Sequence, residues 1–223
     1  MDTIRIECVE GSHLGSWYDE YRRLRHRVFV VEQGWAGLSG PLEEATMPDP
    51  SDVRARFWLA RSNCGALIGA VRIRPVCDVF PHEDLFRHHL ARQEVTAVRP
   101  WMATLNSLMV EREWRGRNCT SSNGDTGSIA SMLLRTSLRA TADGGSRALV
   151  ATAQTMISAR ALMRAGFKVI DPPVRTSLHP TFRMCNVGIV LKPDDPCSYA
   201  LSRYFDDRQR EVLSASNRLT FDF

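Results

Sequence analysis

The chain predicts a single α/β domain built on a mixed sheet with helices on both faces. Two β-rich runs in the first half, RFWLAR (Arg56–Arg61) and ALIGAVRIR (Ala66–Arg74), flank an Asn63-Cys64-Gly65 turn and so predict an antiparallel hairpin. From Thr104 onward strand patterns alternate with helical ones, which implies right-handed crossovers and some parallel pairing. With 223 residues, 43% hydrophobic and 24% charged, the chain is long enough to bury one sizeable core. The expected domain runs over residues 1–193, with a polar, weakly periodic C-terminal extension over 194–223.

Each element follows from local pattern. Ile4–Val9 reads as a first strand closed by Gly11-Ser12. Trp17, Tyr21, Leu24 and Val28 recur at i, i+4, i+7 and i+11, the apolar face of a helix. Gly34, Gly37, Gly40 and Pro41 end it and open a long loop through Pro48 and Pro50. A short helix is expected around Asp84–Leu90, and TLNSLMV (Thr104–Val110) reads as a buried strand. Glu111–Gly127 is rich in Ser, Thr, Asn and Gly and reads as a loop. Ser128 can cap a helix that stops near Ala142 at Gly144-Gly145. Arg147–Ala153 and Phe182–Leu191 read as strands, Met156–Ala165 as a helix capped by Gly166, and Phe167–Ile170 as the start of another strand.

Composition narrows the function classes. Apolar runs such as Ala148–Ala153 are far too short to span a bilayer, and MDTIRIECVEG lacks the basic and apolar regions of a signal peptide, so a cytoplasmic protein without a membrane partner is expected. The six cysteines form no CxxC pair and have no histidine at ligand spacing, so no metal is expected. All but two (Lys168, Lys192) of the 29 basic residues are arginine, which suits phosphate-bearing ligands. They are spread along the chain without a basic run, and no nucleic-acid partner is expected.

The chemistry concentrates in LMVEREWRGRN…GSIASMLL, Leu108–Leu134. A strand opens into a loop and a helix begins after it, and the free N–H groups of a helix start make an anion site. Arg115 and Arg117 flank Gly116, which lets backbone approach a pyrophosphate.

This stretch resembles the loop-and-helix motif of the GNAT acyltransferase superfamily, and ALMRAGFKVI (Ala161–Ile170) resembles that superfamily's second hallmark, a helix ending in Gly-Phe beside the acyl thioester. The resemblance implies a GNAT-like mixed, mostly antiparallel central sheet. It also implies that an acyl-CoA or acyl-phosphopantetheine co-substrate lies against Val110, Arg115, Gly116, Arg117, Gly127, Ser128, Ala130 and Phe167. Asn118 and Thr120 stand where glycine is usual, which an insertion over Asn118–Thr126 explains, and Met163 stands where the superfamily often carries a tyrosine that protonates the leaving thiolate.

The first half resembles the acyl-homoserine-lactone (autoinducer) synthases and related N-acyl amino acid synthases: Arg25-x3-Phe29-x5-Trp35, then Asp49 and Asp52, GAVRIRP (Gly69–Pro75) and DLF (Asp84–Phe86). By that resemblance Arg25, Phe29, Trp35, Asp52, Arg72 and Phe86 shape an amine-acceptor side. A carboxylate can hold an α-ammonium group or relay its proton, and an arginine can clamp a carboxylate. The autoinducer synthases carry an E-x-x-R pair on the strand before the loop, where Thr104 and Ser107 stand here. That difference favours an amine acceptor other than S-adenosylmethionine. The expectation is an N-acyltransferase acting on a small amine, with Glu111, Asp49 or Glu32 as proton acceptor and acyl-CoA or an acyl carrier protein as donor. The alternatives are a homoserine-lactone synthase, or a non-catalytic GNAT fold that binds an acyl carrier or a partner protein.

Overall fold

The computed structural model describes residues 2–13, 15–34, 50–75, 86, 88–89, 91–154, 158–176 and 179–216. They divide into two units, the first drawn from Met1–Arg74 and Leu105–Ser137 and the second from Pro75–Thr104 and Leu138–Phe223.

In the first unit β1 (Asp2–Glu10), β2 (Arg56–Ser62) and β3 (Leu67–Pro75) form an antiparallel meander. The β2–β3 turn closes at Asn63-Cys64-Gly65 as expected, with Gly65 at φ +83° and its N–H donating to Ser62 O at 2.9 Å. β3 is buried from Leu67 to Arg74, so Arg72 and Arg74 on it must find partners inside the protein. The next strand, β4 (Met102–Val110), lies beside β3 with its Leu105–Val110 part.

The stretch Glu111–Gly127, expected to be loop, holds a small hairpin. β5 (Cys119–Ser121) pairs parallel with β1 and antiparallel with β6 (Thr126–Gly127), giving the order β6-β5-β1-β2-β3-β4 in this unit. The residues expected to be an insertion thus extend the sheet at the β1 edge.

Helix α1 (Ser16–Arg25) has Asp19 in its first turn and Arg22, Arg23 and Arg25 in its last, each sign opposite to the adjoining dipole end. Beyond it the expected α-helix gives way to a π-helical segment, His26–Glu32. Tyr18, Tyr21, Leu24, Val28 and Phe29 from this helical run pack with Phe57, Leu59 and Met109 in the unit's core, Tyr21 and Phe57 edge to face at 4.9 Å. Trp17, expected on the buried face, is half-buried at its margin.

In the second unit Met102–Thr104 of β4 pairs parallel with β7 (Ala148–Gln154), and β7 pairs antiparallel with β10 (His179–Val190) over seven residues. β8 (Lys168–Val169) and β9 (Val174–Thr176) pair antiparallel with β10. The sheet is mixed and mostly antiparallel, as expected. After α1 come the short α2 (Gln93–Thr96), α3 (Ile129–Asp143) and α4 (Ser158–Arg164). Ser128 caps α3 as expected, its Oγ accepting from the Ser131 N–H at 3.3 Å.

The C-terminal stretch expected to be weakly periodic forms α5 (Pro196–Ser216), which buries Leu201, Tyr204, Phe205 and Val212. The helix lies close on β10 because Gly188 has no side chain: a Cβ there would sit 2.6 Å from Phe205 Cε2. No helix among the described residues is long and apolar enough to cross a membrane.

Candidate functional site

The first unit gathers most of the residues singled out from the sequence. Asp52, in a short 3-10 turn (Pro50–Arg54), is buried at 1% exposure, and Arg72 on β3 at 4%. An Arg72 Nη1–H donates to Asp52 Oδ1, and the Tyr18 hydroxyl donates to Asp52 Oδ2. The turn is seated by Gly11, whose N–H donates to Ala55 O at 2.7 Å. A Cβ on Gly11 would fall 1.6 Å from the Asp52 carbonyl oxygen, so only glycine lets β1 end against the turn.

Two turns along the same helical run, Arg25 is half-buried, and its Nε makes no hydrogen bond among the described residues. The hydroxyl of fully buried Tyr21, four residues earlier and hence on the same helical face, likewise has none among them. Phe29 lies in the core beside these groups. Trp35 and Asp49 lie outside the described residues.

Two ion pairs join the π-helical segment to the chain after β4. Arg27 grips Glu111 Oε1 through Nε (2.8 Å) and Nη2, and Arg115 Nη2 meets Glu32 Oε2 at 2.6 Å. Arg27 and Glu32 are five residues apart. On an α-helix they would point about 140° away from each other. The i→i+5 hydrogen bonding of a π-helix instead stacks residues five apart. The π geometry therefore lets one helical face address both Glu111 and Arg115.

The segment after β4 is shaped by its own backbone. Arg115 Nε–H donates to Val110 O at 2.8 Å, folding the loop back on the strand end. Gly116 takes φ +74° with open space where a Cβ would stand. Arg117 stacks on Trp114 at 5.2 Å and lies 3.5 Å from Asp2. Gly127 closes β6 and Ala130 is in the first turn of α3. Within β4, Ser107 adopts φ +56°, the one non-glycine left-handed residue among those described. Such a residue breaks the pleat and re-aims the strand before Val110.

Phe86 and Phe167 belong to the second unit, both buried; Phe86 is helical and Phe167 follows α4 and its Gly166 cap at φ +95°. Sequence reasoning missed Tyr18 on Asp52, Arg27 on Glu111 and the left-handed Ser107. Tyr18 had a signal, since it stands three residues before Tyr21 and seven before Arg25 on one helical face.

No protein-family model matches the sequence, and neither does any curated protein. Solved structures do. BjaI, a CoA-dependent acyl-homoserine lactone synthase solved with SAM and isopentyl-CoA, aligns over 92% of this chain and 89% of its own, at 19% identity and TM-score 0.63. The AHL synthase LasI aligns over 90% and 95%, at 18% identity and TM-score 0.64. A GNAT-family acetyltransferase of Staphylococcus aureus Mu50 aligns over 84% and 99%, at 14% identity and TM-score 0.54. The chain has the fold shared by acyl-homoserine lactone synthases and GNAT-family acetyltransferases.

Proposed function

We propose that the chain is a GNAT-type N-acyltransferase that moves an acyl group from an acyl thioester to the amine of a small acceptor, an amino acid derivative. The observation that carries this reading is the buried Asp52–Arg72–Tyr18 cluster, with Arg25 seven residues beyond Tyr18 on the same helical run. A buried ion pair adds little stability compared with apolar residues of the same volume, so its presence asks for another reason. A carboxylate to receive an ammonium group, with guanidinium groups to receive a carboxylate, is the donor and acceptor set that an α-amino acid derivative requires.

In this mechanism the neutral amine attacks the thioester carbonyl. The tetrahedral oxyanion is held by backbone N–H near Val110, and the C–S bond breaks to release thiolate. Glu111 receives the amine proton, directly or through a water, and Glu32 and Asp49 are the alternative acceptors. Arg115 and Arg117, with Gly116, Gly127, Ser128 and Ala130, cradle the donor's phosphates, and Phe167 lies by the acyl arm. The donor is acyl-CoA or an acyl carrier protein; the CoA dependence of the fold-sharing BjaI supports the first.

The test is a panel of acyl-CoAs and acyl carrier proteins incubated with amino acids and S-adenosylmethionine, reading thiol release and product mass. Catalytic thiol release with an N-acyl product is expected. A lactone formed from S-adenosylmethionine would move the reading to a homoserine-lactone synthase. Stoichiometric thioester binding without turnover would leave a non-catalytic carrier-binding fold.

A further inference from the structure

The second unit holds a polar cluster that the acyl-transfer reading does not use. His88 and His89, adjacent on one helical turn, both aim Nε2 at the carboxylate of Asp171, which follows β8. His88 Nε2 lies 3.1 Å from Asp171 Oδ1, and His89 Nε2 lies 2.6 Å from Oδ2. The rings are 3.9 Å apart, and the three ligand atoms lie within 4.8 Å of one another. Adjacent residues on a helix point about 100° apart, so helix geometry alone does not bring two imidazoles onto one carboxylate.

We propose that His88, His89 and Asp171 form a binding site for a divalent transition-metal ion of the zinc class. Two imidazole nitrogens and one carboxylate are a borderline donor set that suits Zn²⁺ or Co²⁺ and disfavours Mg²⁺. A tetrahedral site with bonds of about 2.0–2.1 Å has ligand atoms about 3.3 Å apart, so atoms now as much as 4.8 Å apart close by about 1.5 Å, shared between two side chains, as the ion enters.

The surroundings meet the needs of such a site. His89 is 2% exposed, and its Nδ1 is 2.5 Å from the Tyr204 hydroxyl. A hydroxyl both donates and accepts. When Nε2 binds a metal, Nδ1–H can donate to Tyr204 Oη, and when Nε2–H donates to Asp171 the Tyr204 hydroxyl can turn to whichever role Nδ1 leaves open. A partner on the second ring nitrogen is what orients a ligating histidine.

The Asn186 amide donates to Asp171 Oδ2 at 2.6 Å and fixes the carboxylate. Arg208 Nη2 stands 3.5 Å from Oδ1, and its charge is shared with Glu211. His88 is exposed and gives the ion a route in. A cavity of about 420 Å³, lined by His88, Asp171, Asn186 and Met184 among others, leaves room for a water as fourth ligand.

The test uses the full-length, tag-free chain, titrated calorimetrically with Zn²⁺ and followed by the visible absorption of bound Co²⁺. One ion per chain is expected, with a tetrahedral Co²⁺ spectrum and no heat from Mg²⁺. His88→Ala, an exposed change that leaves the core intact, should weaken Zn²⁺ binding at least tenfold. Asp171→Asn should do the same, and His13→Ala should change nothing. Zn²⁺ affinity unchanged in His88→Ala, or no stoichiometric binding in the native chain, overturns the proposal. Since the readout is binding, its failure is separate from any failure of acyl transfer.

Discussion

Asp52 in the first unit and Asp171 in the second are both buried carboxylates with a tyrosine nearby, yet they are secured differently. Asp52 is bonded by the guanidinium of Arg72 and the hydroxyl of Tyr18, a permanent cation and a direct donor. Asp171 is bonded by two histidines and Asn186, and its tyrosine sits one bond further out, behind His89. Burial pushes the Asp171 carboxyl up, but the His89 hydrogen bond and charge, then Asn186 and His88, outweigh it and hold it below the usual range. The first arrangement locks a charge in place. The second uses imidazoles, the side chains most often found as metal ligands.

The sharpest way to break this contrast is to remove the permanent cation. Arg72→Ala leaves the buried carboxylate without its cation, held by the Tyr18 hydroxyl, and should cost about 3–5 kcal/mol in denaturant unfolding. The double variant Asp52→Asn/Arg72→Met should recover most of that loss. If the double variant is no more stable than the single, the pair is not the source of the cost.

Gly11→Ala attacks the same turn from its backbone side, where the clash is with a carbonyl that no rotamer change relieves. We expect a loss of about 3 kcal/mol, the upper end for overpacking.

The tyrosines should differ on a smaller scale. Tyr18→Phe removes a hydrogen bond to a charged group and should cost about 2 kcal/mol, whereas Tyr204→Phe removes one to a ring nitrogen and should cost about 1 kcal/mol. Equal losses would erase the distinction between the two carboxylate settings.

The smallest effect is on thiol reactivity. Exposed Cys64, in the β2–β3 turn, has its thiol pulled down by the Ser62 hydroxyl and the Ala66 backbone. Burial pushes Cys185 on β10 up to about 12. Since the thiolate is the nucleophile, a thiol reagent at pH 8 should label Cys64 in the native chain and leave Cys185 unlabelled until unfolding, as mass spectrometry will report.

What could be read from the sequence was what neighbouring residues dictate. The Asn63-Cys64-Gly65 turn, the Ser128 cap and the Gly166 helix end are set within a few residues, and each is found where expected. The hairpin β5–β6 was invisible because strands of three and two residues carry no alternation; pairing with β1 makes them strands. Helix α5 was hidden by Arg208, which interrupts the apolar stripe of Leu201, Phe205 and Val212 because its Nε–H is needed at Ile170 O, 3.1 Å away.

For the site, the resemblance to the autoinducer synthases suggested Asp52 and Arg72, and the fold does join them. No spacing rule could have found His89 and Asp171, which lie 82 residues apart.

The π-helical segment has a consequence for how this chain tolerates changes in length. A π turn holds one more residue than the α turn it replaces, so a single-residue deletion within His26–Glu32 returns the run to ordinary α-helix rather than destroying it. The helix would survive, its apolar residues still able to find the core. A deletion between Arg27 and Glu32 leaves them four residues apart on that α-helix, still on one face, so both moorings of the loop after β4 can persist. At this one place the chain can shorten by a single residue while the scaffold and the ion pairs that hold the loop both keep their geometry.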